Sequence, residues 1–218
     1  MYFTYDSGKQ LANTMGMVLE QFIEQEYKWL NVKHKDVIDI GANIGDSAIY
    51  FALNGAKHIY AFELYPYSYN LAIKNINLNE LNNKISLFNQ GVGTKKSSIM
   101  IKRNFKNYGG TDLKAFDKGD IINITTLEEI VNKFKINNAA LKIDCEGCEY
   151  NIILNASDDT LMKFNQIIIE YHYGYLNLKS KLEKSGFIVK NTFPRYSFNT
   201  ESENHDMIIG FLYATLPL

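Results

Sequence analysis

Between residues 36 and 93 three short apolar runs alternate with two helical segments, and this alternation constrains the fold more than any other feature of the chain. "DVIDI" (36 to 40), "HIYAFEL" (58 to 64) and "KISLFNQGVG" (84 to 93) read as buried strands. "DSAIYFALNGA" (46 to 56) and the stretch from about 67 to 79 carry the longer period of helices. Short connections between such elements imply right-handed crossovers, hence an α/β fold with a parallel sheet covered by helices on both faces. The rhythm lapses at 94 to 119, where "SSIMIKR" predicts one short strand and the remainder is polar, and such a stretch in a compact domain is expected to shape a substrate pocket or lid.

Regularity then returns. "DIINI" predicts a strand and "TTLEEIVNKF" a helix opened by a capping box from Thr125 to Glu128. "ALKIDCE" and "QIIIEYH" predict strands separated by the helix "YNIILNA". "YLNLKSKLEKSG" predicts a helix stopped by Gly186, and "FIVKNTF" and "HDMIIGFLYATL" close the sheet. Upstream, apolar positions from Leu11 to Trp29 at three- and four-residue spacing predict an amphipathic helix within an N-terminal extension, residues 1–35. Residues 1–218 are expected to form one domain.

Composition narrows the partners. Lys+Arg is 23 against Asp+Glu 24, so no global charge draws the chain to nucleic acid, and no dense basic strip supplies a local one. No run of about 18 apolar residues predicts a membrane span, and the first ten residues do not read as a signal peptide. A cytoplasmic location is expected, and the oligomeric state is open.

"DIGANIGDSA" (39 to 48) turns the first strand into its helix. Ligands of open α/β sheets bind there, outside the carboxyl ends of the strands. The pattern is Gly41-x-Asn43-x-Gly45, with Asn43 and Asp46 where a dinucleotide fingerprint has glycines. A pyrophosphate would meet Asp46 at the helix entrance, which disfavours NAD. The turn suits S-adenosylmethionine, whose ammonium and sulfonium are cationic and can be served by Asp39 and Asn43. Glu63 follows Gly41 by 22 residues at the end of the second strand, the position of an acid that binds ribose hydroxyls. Leu64, beside it, and "NQGVG" (89 to 93), with Gln90 and Gly91, are expected to border the adenine.

Together, "VIDIGANIGDSAIYFA", "AFELYPYSYNLAIKNINLN", "TLEEI" and "LKIDCEGCEYNIIL" resemble the FkbM-type methyltransferases, over roughly residues 36 to 172. Phe62, Glu63 and Pro66 match the family's acid strand end, and Asp144, Glu146, Gly147 and Glu149 match its acidic signature. Cys145 and Cys148 stand where the family usually has small apolar residues. The resemblance implies a Rossmann-like seven-stranded sheet, mostly parallel with the last strand antiparallel, and an N-terminal helix that covers the cofactor. It also implies transfer of the S-adenosylmethionine methyl group to a hydroxyl of a small molecule, sugar or other glycan.

An alcohol is a poor nucleophile until its proton is removed. Asp144 and Glu146, at the carboxyl end of the fourth strand, are the candidates to order the site and act as base, and His172 is the alternative base because histidine titrates near neutrality. Glu149 reads equally as a carboxylate favoured at a helix start. Asp144, Glu146, Glu170 and His172 are of the kind that bind divalent cations, but no metal is expected from the sequence. Cys145-x-x-Cys148 lacks a second ligand pair for zinc, and its Glu-Gly insert does not favour a thiolate. The cysteines therefore read as incidental, and their replacement by Val and Ala is expected to spare activity. Two alternatives stay open: an NAD(P)-type oxidoreductase, and a non-catalytic nucleoside-binding module on the same fold.

Overall fold

The computed structural model describes residues 1–4, 15–16, 18–102, 118–197 and 207–217. The main sheet is built from β1 (Asp36–Ile40), β2 (His58–Glu63), β3 (Ile85–Asn89), β7 (Ala139–Ile143), β8 (Phe164–Tyr171), β9 (Ile188–Asn191), β10 (Arg195–Ser197) and β11 (Met207–Thr215). A smaller sheet holds β4 (Gly91–Gly93), β5 (Ser97–Ile101) and β6 (Asp120–Thr126). The helices are α1 (Asp46–Leu53), α2 (Pro66–Leu78), α3 (Leu127–Phe134), α4 (Cys148–Asn155), α5 (Asp158–Leu161) and α6 (Leu176–Lys184).

The spatial order is β10-β11-β8-β7-β1-β2-β3, with β9 also on β11. β1, β2, β3, β7 and β8 run parallel, and β11 is antiparallel to β8. The sheet thus has eight strands rather than seven. β10, which the sequence did not predict, pairs with Met207–Ile209, and β9 pairs with Leu212–Thr215, so the two divide one edge of β11 between them. Seven positions across the sheet are retained.

Alternation along the central strands sends side chains into two cores. Ile38, Ile40, Leu141 and Ile143 pack under α3, α4 and α6, among Ile130, Ile153 and Leu178. Val37, Ala140 and Ile168 pack on the other face under α1, with Ile49 and Phe51. Helix starts follow local chemistry: Pro66 opens α2, where a missing N–H costs nothing. Thr126, not Thr125, caps α3 by accepting from the Glu129 N–H, while the Thr125 hydroxyl donates to the Glu129 carboxylate. The cap sits one residue later than predicted because β6 continues through Thr126.

The expected helix over 11–29 is reshaped. Residues 5–14 and Met17 lie outside the described residues; beyond them a π-helical turn (Glu20–Glu24) and a 3-10 turn (Glu26–Trp29) are separated by Gln25 in the left-handed region, φ 54°. Tyr27 packs edge-on and tilted against Tyr50 and Phe51 of α1. The run "KISLFNQGVG" also divides: β3 ends at Asn89, and after Gln90 the chain leaves the main sheet as β4. β5 falls where expected, whereas residues 103–117 of the anticipated pocket stretch lie outside the described residues. No helix among the described residues is long and apolar enough to cross a membrane.

Candidate active site

Strand order reverses between β1 and β7, and there the two chains all but touch. Gly41 has φ +81°, and a Cβ on it would lie 1.7 Å from the Asp144 carbonyl oxygen. Only glycine allows both that conformation and that approach. Gly41→Ala is therefore expected to push β1 and β7 apart and to lower donor affinity at least about tenfold, as displacements near 1 Å at a site do; calorimetry with S-adenosylhomocysteine measures it.

From this point the turn is held by named atoms. The N–H groups of Gly41 and Ala42 both donate to the Phe62 carbonyl, 3.0 Å each. Asn43, with φ 45°, donates its N–H to Glu63 Oε2 (2.8 Å), and the Tyr65 N–H donates to Glu63 Oε1 (2.7 Å). Burial pushes the Glu63 carboxyl up to about 7, against the two N–H donors that favour its charge. Asn89, which the sequence did not single out, donates its amide to the carbonyls of Glu63 and Leu64. It ties the end of β2 to the end of β3.

A cavity of about 640 Å³ opens over this edge. Gly41, Asn43, Glu63, Leu64, Gln90 and Gly91 line it on one side, and Asp144 and Glu146 on the other. Asp39 and Gly45, also expected to touch the cofactor, do not line it. Gly45 faces α2, where a Cβ on it would lie 3.3 Å from Ala72 Cβ, and Asp39 is fully buried. None of the described N-terminal residues lines the cavity either, so they do not cover it as anticipated. Phe22 and Tyr27 pack against Tyr50 of α1, and the N–H groups of Tyr2 and Thr4 donate to the Asn79 and Asn75 side chains.

What Asp39 does instead depends on Lys142, which the sequence reading missed. The two residues are paired in register across β1 and β7. Lys142 Nζ lies 3.1 Å from Asp39 Oδ1, 2.7 Å from the Gly41 carbonyl and 4.0 Å from Asp144 Oδ2, in a side chain 2% exposed. Desolvation works against its charge, but Asp39, Asp144 and Asp46 together hold its pKa above the usual lysine value. Ser47 donates to the other Asp39 oxygen at 2.6 Å. The signal was present as a lysine within an otherwise apolar strand, which requires a counter-charge on a neighbouring strand.

β7 ends at Ile143, so Asp144 and Glu146 stand on a turn rather than on the strand itself. Glu146 (φ 56°) and Gly147 (φ 110°) are both left-handed. Fully buried Glu149 braces that turn: its Oε2 accepts from the Gly147 N–H (2.8 Å), and its Oε1 lies 3.0 Å from His172 Nδ1. His172 Nε2 lies 3.0 Å from Glu146 Oε2 and 3.9 Å from Asp144 Oδ1. Burial alone would lower the His172 pKa, but its bonds to Glu146 and Glu149 push it up to about 12. Its bonds to the two carboxylates favour the protonated ring, which ties Glu146 to Glu149. Ligand atoms of Asp144, Glu170 and His172 lie within 4.8 Å of one another. Desolvation raises the Asp144 pKa, opposed by Lys142 and His172.

The cysteines are not the independent small residues expected. Cys145 and Cys148, with Cα atoms 5.5 Å apart, are joined in a disulfide across Glu146-Gly147, and both line the cavity. The sequence signal was the spacing itself, since residues three apart come together where a turn leads into a helix.

The glycine turn after β1, the acid that ends β2 and the acids on the turn after β7 meet at this one cavity, and the sheet order is that of the class I methyltransferases, whose cofactor is S-adenosylmethionine. The family model described as "Methyltransferase FkbM domain" matches residues 39–212, and the chain belongs to that family. Among solved structures, M. capricolum TrmK in complex with S-adenosyl-homocysteine aligns with TM-score 0.56 and 16% identity, covering 88% of this chain and 66% of that one. The chain therefore spans just under two thirds of that protein's length. Precorrin-6y C5,15-methyltransferase from Geobacter metallireducens GS-15 aligns with TM-score 0.51 and 14% identity, covering 99% and 94%. At such identities these likenesses show the shared fold. A comparison with curated proteins by sequence finds no match.

Proposed function

We propose that the chain is an O-methyltransferase whose acceptor is a hydroxyl on a small molecule or glycan. The observation that carries this reading is Asp144, a carboxylate at the cavity wall with its basicity raised by burial and with two cations about 4 Å away. A hydroxyl acceptor needs a base near the transferred methyl, whereas an amine or a sulfur nucleophile depends on one less. Asp144 is assigned as that base, because Glu146 is held by His172 at 3.0 Å whereas Asp144 stands 3.9 Å from the same ring. Glu146, with His172 behind it, orients the acceptor hydroxyl. The acids at this mouth also disfavour a polyphosphate backbone as acceptor.

The cavity fits the donor. Gly91 packs so closely that a Cβ on it would lie 2.4 Å from Ile124 Cδ1, and with Leu64 and Gln90 it lines the part of the cavity assigned to the adenine. Each Glu63 oxygen accepts one N–H and retains a lone pair for a ribose hydroxyl. When bound, S-adenosylmethionine supplies an activated methyl on a good leaving group. The protein's own residues then position, exclude water and accept the hydroxyl proton. The non-catalytic module on the same fold has no use for Asp144 and is separated by the test below.

Glu63→Ala is expected to weaken S-adenosylhomocysteine binding at least about tenfold, two lost hydroxyl bonds to a charged group being worth that or more. In the unliganded fold the Glu63 pKa is raised, so its contribution to stability is present at acid pH and is lost as pH rises through about 7. Donor affinity has the opposite sign: it is expected to fall as pH drops below about 7, and Glu63→Gln to flatten that slope. For the reaction itself, a panel of glycosides and polyols is incubated with S-adenosylmethionine and read by mass spectrometry. A methyl ether should appear, and Asp144→Asn should slow it roughly 10²- to 10⁴-fold. Unchanged turnover in Asp144→Asn, or methylation of nitrogen or carbon acceptors alone, would remove this reading.

A further inference from the structure

We propose that Cys145 and Cys148 form a redox-active pair that sets the geometry of the catalytic turn, so that the oxidised chain holds its site ready and the reduced chain does not. Four observations meet here. The chain has 2 cysteines in all, and both bracket Glu146-Gly147. Glu146 holds a positive φ, 56°, a conformation uncommon for a residue other than glycine. Its carboxylate touches His172, which touches Glu149, so movement of the turn moves the whole acid cluster. Both cysteines line the cavity, where a small reductant reaches them.

A structural staple is the competing use of a disulfide, and the spacing argues against it. Stabilisation through the unfolded chain grows with the size of the ring closed, and a ring spanning three residues' separation is near the minimum. What so small a ring does constrain is the conformation of the two residues inside it. Those two residues carry the acid and the glycine of the catalytic turn.

The step balances as thiol–disulfide exchange. A dithiol reductant attacks the Cys145–Cys148 bond through a mixed disulfide. Two electrons and two protons pass to the protein, leaving two thiols, and the reductant closes its own disulfide. Oxidation reverses this with a disulfide of the same class. No turnover of the methyl donor is involved.

The test uses the full chain in dithiothreitol buffers of graded oxidation, trapped by alkylation and read by mass. Both cysteines should pass together from blocked to alkylated. Amide exchange in the 144–150 peptide should be faster in the reduced form, and S-adenosylhomocysteine should bind at least about threefold more weakly, small misplacements of a site being costly. Cys145→Ala/Cys148→Ala should bind like the reduced chain and ignore the buffer. The affinity arm rests on the donor reading above, and the exchange arm does not. Loss of donor binding in both forms would count against that reading alone, with the exchange difference still deciding the redox proposal. Cysteines alkylated at every poise, equal exchange in the two forms, or equal donor affinity where donor binds, would each overturn it.

Discussion

Lys142→Met is expected to destabilise the protein by about 3–5 kcal/mol, the range for removing one partner of a buried ion pair. For a chain of this size that lowers the melting temperature by on the order of 10 °C or more. Methionine nearly conserves the volume, so the loss is electrostatic. Asp39 is left without its cation, fully buried, and the Gly41 carbonyl loses its 2.7 Å donor. Adding Asp39→Asn should restore much of the loss, because the asparagine carbonyl still accepts from Ser47 while no charge is left unpaired. Urea denaturation of the two single variants and the double variant completes a cycle whose coupling term reports the pair. A coupling near zero would mean that Lys142 acts through packing instead. The same variant should also weaken donor binding, since the carbonyl it releases belongs to the glycine turn.

His172→Gln should be of similar size but with a different pH signature. It leaves Glu146 and Glu149 without the cation that joins them, again about 3–5 kcal/mol at neutral pH. The folded His172 pKa is raised to about 12. Its stabilisation is therefore fully present below the ordinary histidine range and is lost progressively as pH rises from there. The gap between the parent and His172→Gln should shrink in alkaline solution, and denaturation at several pH values measures it. A gap that widened with pH would show that the ring is neutral in the fold. Turnover should fall with stability, because the imidazolium orients Glu146.

The sheet was legible because its evidence is local: "DVIDI", "HIYAFEL" and "LKID" are apolar over strand length and are followed by turn residues. β10 escaped notice because three residues with no apolar period carry no signal of their own. The glycine turn and Glu63 were legible from their separation. The roles of Asp39 and His172 were not, since each is decided by a partner distant in sequence. Asp39 faces Lys142 across two strands, and His172 meets a glutamate on the helix that follows β7. Glu149, read as equally a helix-start acid, does that and also clamps the turn. A histidine's reference pKa suggests a base, but two carboxylates at 3.0 Å favour its protonated form.

β5 and β6 bring Ile101 and Asp120 directly opposite each other in an antiparallel pair. The chain between them leaves and returns at neighbouring points of the small sheet, where Ile101 and Ile122 pack against Tyr65, two residues beyond Glu63. Lengthening or exchanging that segment changes loop-closure entropy by only about 0.6 kcal/mol per doubling. A change of length at this point is therefore cheap for the fold.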